Sequence, residues 1–203
     1  MIGFLILGLG FRSVPKRWTT ILGPGTILIS FILSLIVLIN FHYFTTSPLH
    51  NLFSWIAFSG FNISFEFLID PLSILMMLTI TGVGFIIHVY SVGYMKGDEG
   101  YSRFFSYMNL FVFFMLLLVM GANYLILFIG WEGVGLCSYL LIGFWFKNQE
   151  FNNAAKKAFI MNRIGDLGFL LGMFLIFTTF QSLSFSEVFA RAGAFPAGEG
   201  TIV

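Results

Sequence analysis

The chain has 203 residues, 58% of them hydrophobic and 9% charged, with a formal net charge of +1. Soluble domains carry about 25% charged residues, so this composition excludes a soluble globular fold and points to an integral membrane protein with no nucleic-acid partner. The single cysteine, Cys137, excludes a disulfide framework and a zinc-type Cys/His cluster.

Met1 to Gly10 supplies ten apolar residues before Arg12, where a spanning helix needs about 20. This segment reads as the tail of a first helix whose beginning is missing, or as a short re-entrant or interfacial piece. It carries neither the basic n-region nor the small-residue cleavage site of a signal peptide. Five further stretches are long enough to cross: about Ile21 to Phe44, Leu72 to Tyr94, Phe104 to Met120, Tyr124 to Phe146 and Ala155 to Phe180. Between the first two of these, Phe53 to Leu68 alternates polar and apolar residues around Ser59-Gly60 and Asn62, which predicts a short outer-face hairpin. Asp70-Pro71 then opens the next helix, with Asp70 as its cap. Gly121 and Asn123 form the one break between the Phe104 and Tyr124 stretches and predict a tight antiparallel turn. Ser182 to Ala192 reads as a short amphipathic helix, and Gly193 to Val203, with Pro196, as a loop. A seventh helix is expected beyond it, so the chain is expected to be a fragment at both ends.

Lipid admits only helices or closed barrels, and no stretch alternates over a barrel-like length. The expected fold is therefore all-α, a polytopic transmembrane bundle of about five full spans plus the partial first helix, forming a single transmembrane domain over 1–203. Lys and Arg favour the cytoplasmic side of membrane spans. Arg12, Lys16, Arg17, Lys96, Arg103, Lys147, Lys156 and Lys157, eight of the ten basic residues, fall in alternate loops. The opposite loops hold Arg191, and the tenth is Arg163 inside an apolar stretch.

Glu132 stands in the middle of the unbroken apolar run Leu125 to Phe146, and the next apolar stretch contains Arg163 and Asp166. A charge at bilayer depth is disfavoured by roughly 2.5–3.5 kcal/mol on insertion scales, so such residues mark ion or proton paths. At 1.5 Å per residue, Glu132 lies roughly 21 Å from the Phe146 end of its stretch, and Asp166 lies at roughly the same depth counted from Asn152. Arg163, three residues before Asp166, shares its helix face. Since an arginine keeps its proton, Glu132 and Asp166 are the candidate exchangeable groups and Arg163 their fixed positive partner. The same triad would also serve simply to lock two helices together. Gly130, Gly133 and Gly135 favour close helix approach or local water around the acid; a phosphate loop is dismissed because they lack a strand-turn-helix setting. Trp131 is expected to lie buried beside the acid, while Trp18, Trp55 and Trp145 fall near interfaces. His88 is a candidate relay, although a satisfied interfacial imidazole is the blander expectation. His42 and His50 have no ligand partners at metal spacing. The triplet Asn62-Ile63-Ser64 has meaning as a glycosylation acceptor only in a secretory setting.

The run Leu127 to Gly143, containing Gly130-Trp131-Glu132-Gly133-Val134-Gly135, followed by Asn162-Arg163-Ile164-Gly165-Asp166, resembles the antiporter-like L subunit of respiratory complex I and its mitochondrial equivalent, NADH dehydrogenase subunit 5. Phe67 to Ser73, Gly82 to Tyr90 and Tyr94 to Phe105 carry the same resemblance. It implies a membrane-arm subunit of a proton-pumping NADH:quinone oxidoreductase in a bacterial plasma membrane or a mitochondrial inner membrane, partnered by other membrane-arm subunits and the lipid bilayer. No redox cofactor is implied on this chain; NADH, FMN, iron–sulfur clusters and quinone belong to partner subunits. Glu132 is implied in the proton pathway, paired with a lysine of a seventh helix beyond Val203, and Arg163 and Asp166 match family positions near it. A multi-subunit cation/proton antiporter shares this ancestry and remains an alternative, as does a non-transporting fragment.

Overall fold

The computed structural model describes residues 1–10, 15–41, 49–58 and 61–193. Arg12, His42, the Ser59-Gly60 turn and the closing loop with Pro196 lie outside the described residues. The elements run α1 (Ile2–Leu9), α2 (Lys16–Ile39), β1 (Leu49–Phe58), β2 (Phe61–Leu68), α3 (Pro71–Tyr94), α4 (Tyr101–Met120), α5 (Tyr124–Ile142), α6 (Gln149–Phe180) and α7 (Phe185–Ala192). Helices α2 to α6 are each long and apolar enough to cross a membrane. The expected helical bundle with a hairpin between α2 and α3 is the observed architecture, and the chain is a multi-pass membrane protein.

Helix ends follow capping chemistry more closely than hydropathy. Asp70 accepts from the Ser73 amide at 2.7 Å while Ser73 Oγ accepts from the Asp70 amide at 2.8 Å, a reciprocal capping box ahead of Pro71. Asn123 caps α5 by accepting from the Ile126 amide at 2.9 Å. The apolar run predicted to continue to Phe146 instead leaves the helix at Ile142, with Gly143 as its cap and turns following. Likewise α6 begins at Gln149, six residues before the predicted Ala155, because Asn148 accepts from the Glu150 amide and starts the helix among polar residues. Helices α2 and α4 also begin earlier than their apolar runs, at Lys16 and Tyr101. At the starts of α2, α4 and α6 the backbone helix extends past the apolar stretch, whereas at the end of α5 the apolar stretch outruns the helix.

The two ends of the bundle differ in kind. At one end Lys16 Nζ donates to the Asp98 carbonyl at 3.1 Å, Trp145 Nε1 donates to Asp98 Oδ2 at 2.8 Å, and Arg103 donates to the Phe144 carbonyl at 3.2 Å. The three predicted basic loops thus converge. Beneath them sits the main core, in which Leu7 of α1 packs with Met95, Tyr101, Phe105 and Phe144. Helix α1 is tied to α4 there by Ser106 Oγ, which donates to the Phe4 carbonyl. At the other end β1 and β2 pair antiparallel, with Leu49 opposite Leu68 and His50 opposite Phe67. The Ala122 amide donates to the Glu66 carbonyl, Asn123 Nδ2 to the Ser64 carbonyl and the Tyr124 amide to the Leu183 carbonyl. The hairpin, the α4–α5 turn and the segment leading into α7 are therefore one assembly on the face opposite the basic loops.

Candidate functional site

Helix α5 is pressed onto α4 by its glycines. A Cβ at Gly130 would lie 2.6 Å from Leu118 Cα, and one at Gly133 would run into the Phe114 ring. Only glycine permits that approach. With Gly130 and Gly133 turned to α4, Glu132 falls on the flank of α5 that meets α6. There it forms an ion pair with the Arg163 guanidinium. The same guanidinium nitrogen lies 3.6 Å from Asp166 Oδ2, one turn along α6. Trp131 Nε1 donates to Asp166 Oδ1 at 2.8 Å. Arg163 is seated over the Phe159 ring at 4.5 Å, and the Trp131 ring stacks on Phe169 at 6.3 Å. One cation thus serves two carboxylates, and an indole N–H holds the second of them.

All three ionisable residues predicted as a cluster are brought together. Their depths agree because Gly143, just past α5, sits against Ala155 of α6, where a glycine Cβ would lie 3.2 Å from that of Ala155. Eleven residues separate Gly143 from Glu132 and eleven separate Ala155 from Asp166, about 16 Å in each helix. Burial is less uniform than expected from the sequence: side-chain exposure is 7% for Asp166, 22% for Glu132 and 37% for Arg163. Trp131 departs from expectation, since it is 51% exposed and its partner is Asp166 of α6 rather than the neighbouring acid. An indole beside Glu132 in sequence points about 100° away from it around the helix, which is what turns Trp131 to the α5–α6 groove.

His88 is placed elsewhere. It lies on α3 inside the bundle, fully buried rather than interfacial, with Nδ1 2.7 Å from the Gly84 carbonyl and the ring tilted 6.1 Å from Phe105. Among the described residues its Nε2 is buried without a partner, and it makes no hydrogen bond with the triad. Among the described residues no group of three or more His, Cys, Asp or Glu side chains is arranged to hold a metal ion. Two polar residues that the sequence did not single out, Ser138 and Asn162, line a crevice that reaches Asp166. Their signal in the sequence is faint: Ser138 is one polar side chain inside an apolar run, and Asn162 is overshadowed by the adjoining Arg163.

Residues 55–105 match the family model described as NADH-ubiquinone oxidoreductase (complex I), chain 5 N-terminus. Residues 121–201 match that described as NADH:quinone oxidoreductase/Mrp antiporter, TM. NADH-quinone oxidoreductase subunit L of Pseudomonas aeruginosa is 41% identical over 205 residues, covering 98% of this chain and 33% of the relative. The Escherichia coli subunit L is 38% identical over 96% of this chain and 32% of its own length, and the NADH-ubiquinone oxidoreductase chain 5 of Allomyces macrogynus is 43% identical over 93% and 30%. The chain therefore spans about a third of the length of these relatives. In fold it is similar to a solved Mrp complex of a Dietzia species, with TM-score 0.75 and 20% identity over 96% of this chain and 21% of that one. An archaeal membrane-bound sulfane sulfur reductase gives TM-score 0.72 and 17% identity over 95% and 38%. The glycine-seated acid, its arginine partner and these matches along most of the chain converge: it belongs to the family of antiporter-like membrane subunits that includes subunit L and chain 5 of NADH:quinone oxidoreductase.

Proposed function

We propose that this chain forms the N-terminal part of a proton-translocating membrane-arm subunit of NADH:quinone oxidoreductase, and that Glu132, Arg163 and Asp166 handle the proton. The observation that carries this reading is the sharing of one guanidinium between two carboxylates at lipid depth. The group carries one net negative charge, so it is one proton short of neutrality. An arginine keeps its proton, so a proton arriving from outside the triad is taken by Glu132 or Asp166. The protonated acid then releases its hold on Arg163, which moves its charge toward the other carboxylate. Withdrawing the cation favours the protonated acid and returning it favours release, which makes the triad a switch worked by the position of one positive charge. Redox chemistry on NADH and quinone, with the flavin and iron–sulfur clusters, belongs in this reading to partner subunits, and the membrane is the bacterial plasma membrane or the mitochondrial inner membrane. Identity of 38–43% to respiratory subunits over nearly the whole chain favours this over a cation/proton antiporter complex, since the likeness to the Mrp structure is one of fold.

Replacing Glu132 with Gln keeps the shape and removes the exchangeable proton. In the full-length subunit within its assembled complex, Glu132→Gln is expected to abolish or greatly reduce proton uptake into vesicles, read with a pH-sensitive dye, while the complex still assembles. Pumping at the parental rate overturns the proposal.

A further inference from the structure

We propose that the cavity among the basic loops is a binding site for an anionic phospholipid of the leaflet on that side, with Lys16, Arg103 and Lys147 holding the lipid phosphate. The cavity has a volume of about 690 Å³ and joins the start of α2, the α3–α4 loop, the start of α4 and the α5–α6 loop. Sites for small molecules usually measure about 300–1,000 Å³. A smaller cavity of about 370 Å³ shares Arg103, Phe144 and Phe146 with it as a common wall and adds Asn152 and Lys156. The two are adjacent compartments with one guanidinium between them.

The cations of the cavity are not spent on one another's counter-charges. Lys16 Nζ donates to the Asp98 carbonyl and Arg103 to the Phe144 carbonyl, and neither makes an ion pair among the described residues. Lys147 stands 3.9 Å from Glu99, but both side chains are almost fully exposed, and such a pair contributes little. Asp98 also lines the cavity, yet each of its carboxylate oxygens already accepts from a donor, Oδ1 from the Gly100 amide and Oδ2 from the Trp145 indole. Across the two compartments four cations, Lys16, Arg103, Lys147 and Lys156, meet two carboxylates, Asp98 and Glu99, which leaves an excess of two positive charges. A phosphodiester is an anion with two free oxygens, and lysine and arginine are its strongest side-chain donors.

The surroundings favour a lipid over a soluble phosphate. Trp145 and Phe146 line the same cavity and are half-exposed, at the membrane boundary where tryptophan is enriched. They lie past Ile142, where the apolar run outlasts α5; Phe144 of that stretch enters the core, whereas the next two side chains stay on the surface. An acyl chain covers these two rings while its phosphate reaches the cations, and a water-borne phosphate leaves them bare. Arg103 rests against the Phe144 and Phe146 rings at 4.8 and 4.9 Å, which holds its guanidinium between the apolar edge and the polar compartment. Clusters of Lys and Arg beside spanning helices attract anionic lipids in general. This one is concave and carries its own apolar edge, whereas Arg17, Lys96 and Lys157 of the same end line neither compartment.

The test uses the full-length subunit in its assembled complex, placed in nanodiscs of phosphatidylcholine with a minority of phosphatidylglycerol and then extracted in mild detergent. The phosphatidylglycerol retained per complex is counted by lipid mass spectrometry. Lys16→Gln combined with Lys147→Gln is expected to retain one phosphatidylglycerol fewer than the parent, while Lys96→Gln combined with Lys157→Gln retains as many as the parent. Equal retention by the parent and the Lys16/Lys147 variant overturns the proposal. In the unaltered complex, phosphatidylglycerol with a photoactivatable diazirine in its head group is expected to crosslink to peptides 97–103 and 144–148, and crosslinks confined to other peptides overturn the proposal without any variant. Loss of those crosslinks on adding inorganic phosphate assigns the cavity to a soluble phosphate and overturns the lipid. None of these measurements involves proton translocation, so they stand apart from the outcome of Glu132→Gln.

Discussion

At the scale of single residues, the contacts around Asp166 are asymmetric in a useful way. Among the described residues Glu132 is held by Arg163 alone, whereas Asp166 has the more distant edge of that guanidinium and the Trp131 indole N–H. A hydrogen bond to a charged acceptor contributes about 1.5–3 kcal/mol, and the half-exposed indole brings this one below that range. Trp131→Phe keeps the stack on Phe169 and deletes only the donor, so it is expected to lower thermal stability by roughly 1 kcal/mol. Combined with Asp166→Asn, the second change is expected to add little, because the two act through one bond. Fully additive losses of melting temperature in that double-mutant cycle exclude a working bond. The acids themselves are legible in the sequence, since a carboxylate in an apolar run carries a desolvation cost that only a partner or a function offsets. The indole is not, because tryptophan at that position reads as apolar bulk and its partner lies 35 positions away.

Among the elements, the placement of α5 decides whether the triad exists. The helix has no strongly apolar face to orient it, and its rotation is set by two glycines one turn apart that let the α4 backbone and the Phe114 ring come close. Gly133→Leu forces the Phe114 ring out of the contact, and overpacking of this kind costs about 1–3 kcal/mol. It is expected to reduce the yield of assembled complex and, in what assembles, to impair pumping as severely as Glu132→Gln, because α5 can relieve the clash only by tilting or turning Glu132 away from Arg163. Pumping at the parental rate in assembled Gly133→Leu complex counts against the glycines as the orienting device. The glycine spacing announces close packing in the sequence, yet not which neighbour receives it. Helix boundaries are legible to within a turn or two: apolar runs mark what lipid covers, while Asn148 and Asn123 mark where backbone donors find an acceptor. The Ile142 end is hidden because Phe144, Trp145 and Phe146 continue the apolar run but fold back onto Arg103 and Asp98.

For the molecule as a whole, the alternation of basic loops along the chain becomes a physical gathering at one end, and Asp98 is its hub. Lys16 reaches its carbonyl, while its carboxylate accepts from the Trp145 indole and, at 2.6 Å, from the Gly100 amide. The indole N–H is the main cause that holds the Asp98 carboxyl below its ordinary value, opposed next by desolvation and aided by Gly100, Arg103 and Lys16. A carboxylate depressed on folding contributes stability that is complete above its unfolded value, about 4, and is lost as pH falls through the lower folded value. Trp145→Phe removes the main cause, so the folded value rises toward the ordinary one and the contribution shrinks. The parent is therefore expected to melt higher than the variant near neutral pH, with the gap closing as pH falls below about 4. Because Asp98 lies at the wet edge of the bundle, the gap is also expected to narrow in high salt, as exposed charges are screened. A gap that stays constant through the acid range assigns the loss to the packing of Trp145 against Phe144 and Phe151 instead.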